Sequence, residues 1–599
     1  MKYSDYFCQT LKDMGFTHCF TVTGGNIMHI IGSASNYFEI IPVVNEVAAG
    51  IAAEYFNEVQ NEKKAFALVT AGPGLTNIVT ACAGAFLESR DLLIIGGQVK
   101  TSDLKNNSNL RQRGIQEIDG VELMKSITKL SLRMNEPMSK NDLKKIINFG
   151  LTPKKGPIFL EIPLDVSAKE IMENFLPDSN AYSNMVTNAS SNLDCDIIFT
   201  KIKKMLSLSE RPLILLGGGV SRDVIKKIYN KFSNLNIPIT TTWNAADRID
   251  SSHPLYFGRP NNWGQRYSNI IMQQSDLLIA IGTRLGIQQT GFNWQGFIPS
   301  GKIIQIDCDN YELEKGHPRI DLAICADANY FLEKILDLKP EVKNEWINFC
   351  NFVKSVIPLN EKQSNNNADD FISPFSFVEI LSNITNEKDI IIPCSSGGAF
   401  TVMMQCFNQK IEQKIITNKA LASMGYGLSG AIGASIANPK RRTILVEGDG
   451  GFAQNLQEIA TAVANNLNLK IFIFENSGYA SIRMTQKNYF KGKYVGCDTK
   501  TGLGFPNWFK LFDAYGIETF EINDENFVNN EKFIKLFNNQ KCVAFIVRID
   551  PEQTYFPKIS SKIKADGSME SNPLHLMSPE LEPELAKKVF KYINYEKQS

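Results

Sequence analysis

Apolar residues dominate short runs along this chain, at 65–69, 92–95, 213–216, 277–281, 443–446 and 469–474, with Thr443 and Lys470 the polar members. Runs without polar alternation are what strands buried on both faces show, and the stretches between them, such as 46–54 and 457–467, carry helical spacing. Strand and helix in repeated alternation predict an α/β protein built from doubly wound parallel sheets. Two polar, Asn/Ser-rich stretches, 178–194 and 360–370, interrupt the pattern, and Ser364-Asn365-Asn366-Asn367 is the least foldable part of the second. They set the expected domains at 1–177, 195–359 and 371–550, followed by a tail, 551–599, that is expected to close over a site. At 599 residues the chain is too long for one core, which agrees with three domains.

Composition narrows the partners. Lys+Arg and Asp+Glu number 63 each, so no net field favours a nucleic acid or an anionic membrane surface. The first residues carry no signal-peptide core, and no run reaches the ~18 apolar residues of a membrane span. A cytoplasmic protein acting on small molecules is expected. The 11 cysteines are scattered, with no CxxC pair and no zinc spacing, and read as free thiols.

The chemistry is concentrated at Gly448-Asp449-Gly450-Gly451, which follows one buried run, and at Asn476, 27 residues beyond Asp449, which follows the next. A lone Gly-Asp-Gly is usually a turn. Between two buried strands it becomes half of a βαβ unit, with a carboxylate and an amide at the C-terminal ends of parallel strands, where open α/β sheets bind ligands. The glycines can present N–H groups to phosphate, and Asp449 can ligate a hard cation. The stretch resembles the thiamine diphosphate signature of the acetolactate synthase-like family. The resemblance covers nearly the whole chain, through Thr23-Gly24-Gly25, Asn45-Glu46, Thr70-Ala71-Gly72-Pro73-Gly74 and Gly97-Gln98-Val99.

The resemblance implies three α/β domains, binding in turn the pyrimidine, an optional nucleotide and the diphosphate. It implies thiamine diphosphate and Mg²⁺ as cofactors, the metal held by Asp449, Asn476 and the carbonyl of Gly478, with Gly397, Gly398, Gly448, Gly450 and Gly451 admitting the diphosphate. Glu46 matches the glutamate that bonds the cofactor's pyrimidine, and its apolar company favours a shared proton. The Ala422 carbonyl and Met424 N–H match the groups that meet the aminopyrimidine edge, while Gly25 N–H and Gln98 would face the reacting carbonyl. Read from the residues alone, Glu46 is equally a first-turn helix charge, Met424 a core side chain and Gln98 a satisfied strand-end amide. Two departures stand out: Asn45 where relatives have His, and Ser395 where they commonly have Asp.

In the middle domain Gly217, Gly218, Gly282, Arg284, Asp307 and Asp327 match segments that contact FAD in acetolactate synthases, so FAD is expected there, with Trp263 in place of a family His. The family also implies a homodimer or homotetramer with active sites shared between subunits. Where acetolactate synthases place a Met and a Trp after the metal Asn, this chain has Ser481 and Thr485. Losing a Trp frees on the order of 200 Å² of contact area, so a wider, more polar acceptor pocket is predicted. With Gln112-Arg113-Gly114-Ile115 and the tail segment Asn572-Pro573-Leu574-His575, the pattern is similar to relatives associated with bacterial surface-sugar biosynthesis. The expected function is a carboligase that decarboxylates pyruvate and transfers its two-carbon unit to a carbonyl acceptor, a nucleotide-linked keto-deoxysugar. An acetolactate synthase, a simple 2-keto-acid decarboxylase and a degenerate regulatory homologue stay open, though the intact Glu46, Asp449 and Asn476 argue against the last.

Overall fold

Each third of the chain closes on its own parallel sheet. The computed structural model describes residues 1–593 apart from 107, 173–175, 180–181, 183–193, 339–343, 366–367 and 564–568. The first sheet comprises β1 (Phe16–Val22), β2 (Glu39–Pro42), β3 (Lys64–Val69), β4 (Leu93–Gln98), β5 (Leu130–Arg133) and β6 (Ile158–Pro163), in the order 2-1-3-4-6-5. The second comprises β7 (Pro212–Leu216), β8 (Ile239–Thr241), β9 (Leu277–Ile281), β10 (Lys302–Asp307) and β11 (Leu322–Cys325), in the order 11-10-9-7-8. The third comprises β12 (Ile390–Ile392), β13 (Lys414–Ile415), β14 (Thr443–Gly448), β15 (Leu469–Glu475), β16 (Thr519–Ile522) and β17 (Val543–Arg548), in the order 13-12-14-15-17-16. The fold expected from the apolar runs is the one observed. Strands such as β7 and β9 are buried along their whole length because helices cover both faces.

Strand order reverses between β1 and β3, between β7 and β9, and between β12 and β14. The connections from these neighbours leave to opposite sides, which opens a crevice over the carboxyl ends of the strands. Several of the glycine motifs singled out in the sequence lie at such a reversal. Gly24 and Gly25 follow β1, Gly217 and Gly218 follow β7, Gly282 follows β9, Gly397 and Gly398 follow β12, and Asp449 follows β14.

The outer domains dock through the helices Glu46–Val59 and Tyr426–Ala437. A Cβ at Gly433 would lie 2.1 Å from the Ala52 carbonyl oxygen, and one at Gly430 would lie 2.6 Å from the Tyr55 ring. Buried charges surround this contact. Arg90 Nη1 reaches Glu54 Oε1 at 2.7 Å and Nη2 donates to the Thr417 carbonyl at 2.7 Å, while the Tyr426 hydroxyl donates to Glu54 Oε2 at 2.7 Å. The middle domain joins through Arg222, which reaches Glu58 at 3.2 Å and Asp247 at 2.7 Å; Asp247 in turn accepts the Ile415 N–H at 2.9 Å.

Two local expectations change. The helix expected over 457–467 is a 3₁₀ turn, Leu456–Glu458, and a short helix, Ile459–Ala464, stopped near Asn466 in the left-handed region at φ 49°. Asn365, expected in the least foldable stretch, is buried: its Oδ1 accepts the Phe556 N–H at 2.9 Å and its Nδ2 donates to the Phe556 carbonyl at 2.8 Å. Asn366, Asn367 and most of 178–194 lie outside the described residues. The tail does more than cover a site, because Leu574, Ala586, Val589 and Phe590 join the middle-domain core. Among the described residues no helix is long and apolar enough to cross a membrane.

Burial disfavours ionisation of Glu58, but Arg90, Arg222 and Lys155 outweigh it and hold the carboxyl down at about 2, from an ordinary 4.5. A depressed folded-state value means the contribution is present above about 4.5 and is lost as pH falls toward 2. Melting temperature should therefore fall more steeply across that window in the wild type than in Glu58→Gln. Parallel pH profiles would remove Glu58 as a source of the acid sensitivity.

Candidate active site

The crevice over β12, β14 and β15 is where the chain assembles its most unusual polar group. Asp449, 1% exposed, accepts the Gly450 N–H at 2.6 Å on Oδ1, and the Asn476 and Gly478 N–H groups at 3.1 and 3.3 Å on Oδ2. Burial nevertheless pushes its carboxyl up to about 7, against those three bonds and with the Glu475 charge adding to the effect. Asn476 is buried as well, and its Oδ1 has no hydrogen-bond partner. A buried carboxyl that makes no direct ion pair among the described residues, beside an amide oxygen without a donor, is a donor set that fits a hard cation. With one carboxylate, one amide oxygen and one carbonyl it suits Mg²⁺, which takes few protein ligands and completes its shell with phosphate and water. Among the described residues no group of three or more His, Cys, Asp or Glu is placed to hold a metal ion.

The backbone around the crevice is held in costly conformations. Cys394, Ala422 and Ser477 have φ of 47°, 54° and 60°, and Gly397 and Gly425 have φ of 82° and 81°. Left-handed non-glycine residues cost roughly 1–3 kcal/mol each and gather where a site requires them. The helix Gly397–Cys406 starts at Ser396, whose side chain makes no cap, so its first N–H groups stay available to an anion. Gly448 opens on free space, whereas Gly398, Gly450 and Gly451 seat the side chains of Tyr555, Tyr479 and Glu447. Ser395 Oγ donates to the Ser423 carbonyl, and Asn455 Nδ2 donates to the Gly425 carbonyl at 2.8 Å, so the loop carrying Ala422 and Met424 is tied to both sides of the crevice.

The other expected residues are dispersed. Glu46 opens its helix, 7% exposed, and accepts Asn77 Nδ2 at 2.9 Å within its own domain. Asn45 caps that helix by accepting the Val47 N–H at 3.1 Å, which gives the departure from His a local purpose. Gly25 is exposed with open space at its Cβ position. Gln98 is fully buried: Nε2 donates to the Ile118 carbonyl at 2.8 Å and to Glu161 at 3.0 Å, and Oε1 accepts the Val99 N–H at 2.9 Å. In this conformation both amide hydrogens are spent inside the domain, the geometry of a satisfied strand-end amide. Ser481 is half-buried and Thr485 exposed on the helix Ala480–Tyr489, the Thr485 hydroxyl donating to the Ser481 carbonyl at 2.9 Å.

In the middle domain a Cβ at Gly217 would meet the Gly282 carbonyl at 2.1 Å and one at Gly218 would lie 3.3 Å from Asn244, so the two loops close tightly over β7 and β9. Burial raises the Asp307 carboxyl, which accepts the Asp309 N–H at 3.0 Å. Asp327 is spent as the cap of the helix Ala328–Leu336, and Arg284 is exposed.

Four residues escaped the sequence reading. Glu458, fully buried, accepts the Val44 and Asn45 N–H groups at 3.2 and 2.9 Å and so ties the third domain to the entry of the Glu46 helix. Burial raises its carboxyl against those bonds and one from Thr461. Glu447 is pushed up to about 8 by burial, opposed by the N–H groups of Gly427 and Leu428. Arg483 and Tyr555 are buried beside Asn476. A charged residue next to Gly448 and an Arg inside an otherwise polar helix were the available signals, but their burial is a tertiary fact.

Comparison with known proteins is consistent with this geometry. Residues 1–123 match the N-terminal TPP binding domain of thiamine pyrophosphate enzymes, residues 199–335 the central domain and residues 396–547 the C-terminal TPP binding domain. The chain is 27% identical over 565 residues to the acetolactate synthase isozyme 1 large subunit of Escherichia coli, covering 93% of this chain and 95% of that one. It is 25% identical over 576 residues to the acetolactate synthase large subunit of Lactococcus lactis, covering 94% and 95%. It is 27% identical over 532 residues to the mitochondrial acetolactate synthase of Schizosaccharomyces pombe, covering 84% and 77%. With all three domain matches in chain order, one on each parallel sheet, the chain belongs to the thiamine diphosphate enzyme family and is acetolactate synthase-like.

Proposed function

We propose that the chain is a Mg²⁺-dependent carboligase that decarboxylates pyruvate and passes the two-carbon unit to a carbonyl acceptor larger than pyruvate, a nucleotide-linked keto-deoxysugar. Bound thiamine diphosphate supplies the carbanion chemistry. Asp449, Asn476 and the Gly478 carbonyl hold the metal, and the N–H groups around Gly397, Gly398, Gly448, Gly450 and Gly451 receive the diphosphate. The Ala422 carbonyl, on a residue in the left-handed region, and the Met424 N–H orient the aminopyrimidine, and Glu46 holds the proton shared with that ring. Gly25 N–H is free to stabilise an oxyanion, while Gln98 can do so only by releasing Ile118 or Glu161. Because the hydrogen bond of the Glu46 carboxylate stays within its own domain, we assign completion of the site to a second subunit, in a homodimer or homotetramer. The tightly closed β7/β9 crevice is assigned to FAD, held by Gly217, Gly218, Gly282 and Arg284 without redox work, with Asp307 and Asp327 at its edge.

The observation carrying the acceptor assignment is the pair Ser481 and Thr485, short polar side chains beside the metal Asn, one half-buried and one exposed. Similarity over 93% of the chain to a protein named acetolactate synthase favours the second reading, pyruvate as acceptor. Competition decides between them: with pyruvate and a keto-sugar nucleotide both present, mass detection should find mostly the sugar adduct, and Thr485→Trp should return the product to acetolactate by filling the pocket. Acetolactate alone from the wild type, unchanged by Thr485→Trp, would defeat the sugar reading.

Asp449→Ala should lose Mg²⁺-dependent retention of thiamine diphosphate on gel filtration. Equal retention and equal metal content would take the metal away from Asp449. Glu46→Gln should still bind the cofactor yet slow its C2–H exchange by ~10²-fold, followed by NMR; wild-type exchange in that variant would clear Glu46 of the role.

A further inference from the structure

The segment that leaves β17 doubles back over the carboxyl ends of the third sheet and is pinned on both sides of one residue, Tyr555. Before it, Thr554 Oγ1 donates to the Ser364 carbonyl at 3.2 Å; after it, Asn365 holds both backbone groups of Phe556, and Gln405 Nε2 donates to the Pro557 carbonyl at 3.0 Å. So anchored, the Tyr555 side chain is driven into the crevice, 6% exposed. It occupies the place that Gly398 leaves vacant: a Cβ there would meet the Tyr555 Cζ at 2.7 Å and its hydroxyl oxygen at 2.9 Å. Any larger residue at position 398 would expel the ring.

The hydroxyl therefore sits beside the uncapped first turn of the helix Gly397–Cys406. Around it lie the Asn476 amide, the Asp449 carboxylate and the Arg483 guanidinium. A tyrosine hydroxyl has one O–H to give. Two neighbouring polar atoms are buried without partners, Asn476 Oδ1 and Arg483 Nε, while Arg483 Nη2 donates to the Asn476 carbonyl at 3.0 Å. A group with its own acceptors and negative charge would satisfy this cluster, and a diphosphate carrying a divalent cation is such a group.

We propose that Tyr555 is a cofactor-binding residue: its hydroxyl donates to a diphosphate oxygen and, through the Asn476 amide, turns Asn476 Oδ1 toward the cation. Arg483 supplies the buried counter-charge. The assignment rests on reading the crevice as the diphosphate site, and it gives the tail a chemical role, since the strap that carries Tyr555 continues into the middle-domain core through Leu574 and Val589.

The test is a titration of full-length apo protein with thiamine diphosphate and Mg²⁺ by isothermal calorimetry, comparing the wild type with Tyr555→Phe. Phenylalanine keeps the ring against Gly398, so the melting temperature of the apo protein should not change. Loss of a hydrogen bond to a charged acceptor should raise Kd for the cofactor about tenfold or more, and raise the Mg²⁺ concentration needed for half-saturation. Unchanged Kd and Mg²⁺ requirement in Tyr555→Phe, or a lower apo melting temperature with unchanged Kd, would overturn the proposal. A wild type that binds no thiamine diphosphate would instead bring down the reading of the crevice itself.

Discussion

The molecule is organised around a set of charges that none of its domains can bury alone. Arg90 of the first domain is paired with Glu54 and bonded to the Thr417 carbonyl of the third, and Arg222 of the second joins Glu58 of the first to its own Asp247. Desolvating an ion costs several kcal/mol, recovered only when geometry and further hydrogen bonds are in place. Here those partners come from different domains, so the cost is offset only when all three are docked. The network thereby specifies one mutual arrangement more strongly than it adds net stability. The close approach of the Glu46 and Tyr426 helices, permitted by Gly430 and Gly433, supplies the apolar contact beside it.

That arrangement is what gives the crevices their chemistry. Each sheet by itself offers a ligand cleft where strand order reverses. The third lines its cleft with buried unpaired polar atoms at Asn476 and Glu447 and with left-handed residues at Cys394, Ala422 and Ser477. Strain of this kind persists where surrounding contacts over-determine it. The ties from Ser395 to Ser423 and from Asn455 to Gly425 do so from opposite sides of the same loop. The Asp449 carboxyl, raised by burial, lies in the same crevice.

The residues proposed to face the acceptor lie on a different element. The helix Ala480–Tyr489 turns Arg483 inward to the Asn476 carbonyl and leaves Ser481 half-buried and Thr485 exposed. One helix thus has a face packed against Asn476 and a face open to solvent. Under the proposed function, acceptor preference can change on the second face without disturbing the first.

Much of this was legible along the chain because it depends on local pattern. Short apolar runs identify strands buried on both faces, glycine and Asp at their ends identify ligand turns, and the spacing of Asp449 and Asn476 matches one strand, one crossover and the next strand. Burial and partnership were not legible, since they depend on residues hundreds of positions apart. Gln98 reads either as facing the reacting carbonyl or as a satisfied strand-end amide until Ile118 and Glu161 are found on its hydrogens; Asn365 reads as linker until it closes on Phe556; Glu458 carries no signal until Val44 and Asn45 donate to it. The sequence by itself determined the three sheets and the glycine and Asp turns at their strand ends, because strand burial and turn chemistry are short-range. Only the tertiary structure decided which charges are buried together, where the tail runs and that Tyr555 enters the crevice, because desolvation depends on everything packed around a group and not on its neighbours in the chain.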